Sequence, residues 1–143
     1  MRHVNLLLIA LIFGASLNLA QTPAPAVAAS IITVNTANDD TSSGDALCTL
    51  REALTNANDD AATFPDCAAG SGNDTVKFTS GMTGSILLGS LLPILSDTDG
   101  VTIDGSGAEV IVSGSSAFRV FEVAAGVSAT IKNLTLADGS GVG

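Results

Sequence analysis

Apolar and polar residues change places over short distances through most of this chain, and one stretch stands apart: CTLREALTNAND, residues 48–59. Within it Leu50, Ala53, Leu54 and Ala57 fall at i, i+3, i+4 and i+7, which draws one narrow apolar stripe along a helix. Thr49 and Glu52 have the spacing of a capping box, in which the threonine oxygen accepts from the third backbone N–H and the glutamate reaches back. The helix is therefore predicted to begin at Leu50. Asn58, Asp59 and Asp60 are poor helix-interior residues and would face the negative end of the helix dipole, so it should stop near Asn58.

The rest of the pattern is β-type. IITVN from Ile31 is a β-branched run, and beyond Asp74 come short pieces separated by Gly, Ser and Asp: TVKF, SILLG, VTIDG, EVIVSG, FRVFEV and VSATIKNLTL. None is long enough for an ordinary sandwich strand with its hairpins. The alternation in FRVFEV slips between Val120 and Phe121, and in VSATIKNLTL it slips around Asn133. A slip in a period-2 pattern marks a bend or bulge where the chain turns a corner with its apolar side chains still facing one core. TIDG at 102–105 and TLADG at 135–139 look like successive appearances of one coil position. Repeated corners around a constant inside describe a solenoid, and an aromatic content of 3% suits one better than a sandwich. The expected fold class is thus all-β, a parallel β-helix whose apolar end is covered by the amphipathic helix at 50–58.

Composition adds a compartment. Arg2 and His3, the apolar LLLIALIFGASLNLA and the small-residue PAPAVAAS make a secretory signal peptide, with cleavage after Ala28 or Ala29. A retained anchor is the alternative, although Gly14, Ser16 and Asn18 leave the apolar run short for a span of roughly 20 residues. No later segment is long enough to cross a bilayer. The chain carries a formal net charge of −9, with Arg51, Lys77, Arg119 and Lys132 the only basic residues after Arg2, so nucleic acid is an unsuitable partner. The single histidine leaves with the signal peptide, which removes Ser-His-Asp and Cys-His catalysis and His-ligated metals. Cys48 and Cys67 flank the helix, and after export a disulfide is the economical reading, with two separate buried thiols as the alternative.

Candidate chemistry rests on carboxylates. Asp97, Asp99 and Asp104 in SDTDGVTIDG form the best cluster for a glycan-cleaving site, with Asp97 and Asp99 as calcium ligands and Asp104 and Arg119 as catalytic candidates. A lyase needs carboxylate-bound calcium and a base, and a hydrolase needs two carboxyl groups across the glycosidic bond. The plainer reading puts Asp97 and Asp99 in a turn, Asp104 before a turning glycine, and Arg119 in a surface pair with Glu122 or Glu109. Asp39, Asp40 and Asp45 lack EF-hand spacing and read as a solvated loop. Asn133 is suited to a stacked asparagine ladder. Asn73-Asp74-Thr75 and Asn133-Leu134-Thr135 match the glycosylation sequon, without modification being expected.

Cys48-Thr49-Leu50-Arg51-Glu52-Ala53, preceded by ITVNTANDD and followed by CAAGSGNDTVKF, resembles the CSLREA domain at the front of secreted bacterial right-handed parallel β-helix proteins. Thr49 replaces the usual serine there and keeps the cap. LLPILSDTDGVTIDGSGAEVIVSG and FRVFEVAAGVSATIKNLTLADGSGVG likewise resemble the first coils of pectin-lyase-like solenoids. The resemblance implies a signal peptide at 1–29, an N-terminal cap with helix and disulfide at 30–73, and the first coils at 74–143. Because the chain stops in a glycine-rich turn, it reads as an N-terminal fragment whose partners include further coils. The function expected is a secreted or cell-surface structural or adhesive protein. A polysaccharide-binding or pectate-lyase-like enzyme acting on extracellular glycans is the alternative.

Overall fold

A computed structural model describes residues 27–141, so the signal segment up to residue 26 lies outside the described residues. The elements run β1 (Ile31–Val34), α1 (Leu50–Asp59), β2 (Asp74–Phe78), β3 (Thr83–Leu87), β4 (Val101–Asp104), β5 (Glu109–Ser113), β6 (Ala129–Lys132) and β7 (Thr135–Ala137). One sheet has the order β1-β2-β4-β6 and the other β3-β5-β7. Every neighbouring pair is parallel.

This overturns the expected all-β, right-handed parallel β-helix with a separate capping helix. The described residues form a small mixed α/β structure of two parallel sheets and one short helix. Parallel neighbours need a crossover, and α1 is the crossover between β1 and β2, which makes β1-α1-β2 a βαβ unit. Its apolar stripe of Leu50, Ala53, Leu54 and Ala57 joins Ile32, Val34 and Val76 in the same buried core. The helix thus helps to form the core, packed against β1 and β2. The repeat read from TIDG and TLADG fails too, because Thr102–Asp104 belong to β4 of the larger sheet and Thr135–Ala137 to β7 of the smaller. Register instead aligns Thr75 with Thr102 and Thr102 with Thr130. FRVFEV is no strand either: its one β contact is a bridge between Val123 and Leu95. The slip at Asn133 is a real corner, with Asn133 at φ 54° between β6 and β7 of different sheets.

Register stacks like residues at the spacing of neighbouring strands. Ile32, Val76 and Ile103 form one fully buried column in the larger sheet, continued by half-buried Ile131. Ile86 and Val112 form the matching column in the smaller sheet, with Leu136 at its exposed end. Each fully buried Ile, Leu or Val contributes about 1.5–3 kcal/mol of transfer free energy.

Around the helix the polar contacts are specific. Thr49 Oγ1 accepts from the Glu52 N–H at 3.2 Å, and the Glu52 carboxylate accepts from the Thr49 N–H at 3.1 Å. Cys48 and Cys67 form a disulfide with Cα atoms 4.9 Å apart, closing a loop of a size that contributes roughly 3 kcal/mol in the chain-entropy account. Buried Asn56 holds the loop behind the helix, donating to the carbonyls of Phe64 and Ala68 and accepting from the Phe64 N–H. Arg51 makes a two-pronged pair with Asp39, at 3.0 and 2.8 Å, and donates to the carbonyls of Ser90 and Leu91. Asp39 also accepts from the Gly89 N–H, so one ion pair ties the loop after β1, the helix and the segment after β3.

Candidate metal centre

Three carboxylates from separate segments converge at the C-terminal end of α1. Asp60, Asp74 and Asp97 each bring an oxygen within 4.8 Å of the others. Asp60 is the C-cap of α1, in the left-handed conformation at φ 48° with its N–H returned to the helix, and its side chain is exposed. Asp74 opens β2 and is fully buried. Asp97 lies in the turn before β4 and is 4% exposed.

Local bonds explain the convergence. Asn58, on the last turn of α1, donates to the Ile94 carbonyl and accepts from the Ser96 N–H, which brings the segment carrying Asp97 to the helix end. Asn73 donates to the Asp99 carbonyl and fixes the far side of that turn. Within it, Asp97 Oδ1 accepts from the Asp99 N–H at 2.8 Å. The loop to Asp74 passes close under the helix: a Cβ on Gly70 would lie 2.1 Å from the Asn56 carbonyl oxygen and 2.8 Å from Asp74 Oδ2, so only glycine fits. Asp74 accepts from the N–H groups of Ser30 and Ser71.

The surroundings are unfavourable to three negative charges. The last turn of α1 has no basic residue to offset the negative end of the helix dipole, and Asp60 sits at that end. Burial raises the Asp74 carboxyl above the usual range; the N–H bonds of Ser71 and Ser30 oppose this, and Asp60 and Asp97 add to it. Asp97 is raised too, first by burial and then by Asp60 and Asp99, with the Asp99 N–H opposing. Asp97 Oδ2 is buried with no hydrogen-bond partner.

The residues singled out from sequence are scattered. Asp97 enters the cluster, whereas Asp99 is exposed and meets Asp97 through its backbone N–H. Asp104 lies elsewhere, in register with Lys77 on one side and Lys132 on the other. It accepts from Asn133 Nδ2 at 2.9 Å and from the Ser106 N–H at 3.0 Å, and pairs with Lys132 Nζ at 3.3 Å. Those bonds, led by the one from Asn133, hold its carboxyl well below the usual range. Arg119 is ion-paired with Glu122. Asp39 serves Arg51 and Gly89, while the side chains of Asp40 and Asp45 accept from backbone two residues on.

Asp60 and Asp74 were missed from sequence. The signal available was weak: Asp60 follows the helix in a run of loop residues, and Asp74 looks like an ordinary residue before a strand. Two adjoining grooves of about 420 and 450 Å³ cross the smaller sheet, lined by residues 81–83 and 107–109 and by 108–111 and 133–135. Glu109 is the one ionisable residue lining either. Comparison with protein-family models, with curated proteins and with solved structures finds no match for this chain.

Proposed function

We propose that this chain is an exported, secreted or cell-surface module with a structural or adhesive role, related to the CSLREA-type bacterial proteins it resembles. One observation carries this reading: the two side chains a glycan-cleaving site would use as catalytic groups are both already paired, Asp104 within the sheet and Arg119 on the surface. Asp104 is bound by Asn133, Ser106 and Lys132, and Arg119 by Glu122. The CTLREA hexapeptide supports the resemblance because its residues all have structural work. Cys48 is in the disulfide, Thr49 and Glu52 cap the helix, Arg51 ties three segments, and Leu50 and Ala53 are buried. The disulfide suits an oxidising compartment. Among the described residues no helix is long and apolar enough to cross a membrane.

The grooves over the smaller sheet favour polysaccharide binding as the second reading, since they offer an extended surface across β3, β5 and β7. Incubating the exported chain with polygalacturonate and calcium separates the readings. A structural or adhesive module releases no unsaturated product, and retention on immobilised glycan would then mark it as a binder. Release of unsaturated product, abolished by Asp104→Asn or Arg119→Ala, would replace this proposal with a lyase.

A further inference from the structure

The geometry points to a calcium-binding site at Asp60, Asp74 and Asp97 that ties the end of α1 to the start of β2 and the turn before β4. Two independent observations meet there. The first is spacing: carboxylate oxygens from three segments lie within 4.8 Å of one another, close enough for all three to reach one ion at about 2.4 Å each. The second is the Asp97 carboxylate, buried at 4% exposure, with Oδ2 lacking any partner. An unsatisfied buried carboxylate oxygen is costly unless a cation or a proton meets it.

The donor set selects the ion. All three side chains are hard oxygen donors, and the described chain has no histidine and no free thiol to favour zinc, copper or iron. Calcium accepts irregular oxygen geometry and exchanges its water readily, whereas magnesium demands a near-ideal octahedron. One exposed ligand, Asp60, gives an ion a route in from solvent. An exported protein meets calcium at extracellular concentrations, where modules of this kind bind on the order of 10⁻⁴ to 10⁻³ M.

The site also gives the ion a structural consequence. Asp60 and Asp74 bracket the loop that carries Cys67, and Asp97 precedes the strand that pairs with β2. A bound ion would therefore clamp the helix crossover to the next strand, beside the disulfide and independently of it.

The test uses the exported chain, stripped with chelator and titrated with calcium chloride, read by calorimetry and by thermal unfolding. One saturable ion per chain is expected, with a rising Tm and much weaker binding of magnesium. Asp97→Asn, which keeps shape and hydrogen bonding, should weaken calcium binding about tenfold or more. Asp60→Asn, an exposed position where folding is safe, should do the same, and Asp99→Asn should leave binding intact. No saturable heat and no calcium-dependent change in Tm would overturn the proposal. So would equal calcium responses in the parent chain, Asp60→Asn and Asp97→Asn, since the buried oxygen would then be met by a proton.

Discussion

Asp97 and Asp104 both belong to SDTDGVTIDG, yet they meet opposite surroundings. Asp104 lies between two lysine positions of a parallel sheet and accepts from Asn133 and Ser106, so its charge is stabilised. Asp97 is buried beside Asp60 and Asp74 at the negative end of a helix, with one oxygen unpartnered, so its charge is penalised. The difference comes from what the fold places opposite each side chain. A carboxylate held by several donors keeps its charge at little cost, whereas a buried one with an unpartnered oxygen costs free energy until a proton or a cation meets it.

The largest way to break this contrast is to remove the staple beside one site alone. Replacing Cys48 and Cys67 together by alanine should cost about 3 kcal/mol. It should also loosen the loop between Asp60 and Asp74 while leaving the Asp104 contacts in place. Urea unfolding measures the cost. Hydrogen exchange that accelerates at β4 and β6 as much as around residues 60–74 would show the two regions to be one unit.

Charge removal sharpens it. In chelator, Asp97→Asn should stabilise the chain by about 1 kcal/mol, because an amide ends the repulsion and can donate. Asp104→Asn should destabilise it, because Lys132 loses its partner. Equal signs for the two variants would contradict the electrostatic account.

pH extends the comparison to Glu52, whose carboxyl is raised by burial, with the Thr49 bonds opposing. A raised acid favours the folded state most below its unfolded value of about 4.3, and that contribution is lost as pH rises through the higher folded value. Asp104 runs the other way: its contribution is present above about 3.9 and is lost as pH falls toward its lower folded value. Glu52→Gln should therefore gain on the parent chain as pH rises from 4 toward neutrality, and Asp104→Asn should lose its deficit only in acid. Tm against pH for both variants checks the signs.

The smallest effect concerns processing. The Ser30 nitrogen lies 2.9 Å from Asp74 Oδ1. Cleavage after Ala29 would turn that N–H into an ammonium, and a divalent ion with one ammonium balances three carboxylates. Mass spectrometry of the exported chain tells whether Ser30 or Ala29 is first, and Ser30 first should give the higher Tm of the two forms. Ala29 first would remove the ammonium from this contact.

Local patterns in the sequence carried local structure well. The capping spacing of Thr49 and Glu52, the stripe from Leu50 to Ala57 and the corner at Asn133 are properties of a few neighbouring residues, and neighbours settle them. FRVFEV had the composition of a strand, but only Val123 found a partner, because pairing depends on which backbone lies alongside. TIDG and TLADG looked equivalent, although likeness of composition does not fix which sheet a segment enters.

The sequence by itself determined the helix, its cap and the one possible intrachain disulfide. Only the tertiary structure decided that the helix is a crossover within a mixed α/β core, that Arg51 reaches Asp39, Ser90 and Leu91, and that Asp60, Asp74 and Asp97 share one place. The reason is the range of the forces involved. Capping and periodicity act within one or two turns of chain, whereas burial and charge depend on every segment brought near, and those segments here are joined by long loops whose paths are set by Asn56, Asn58 and Asn73.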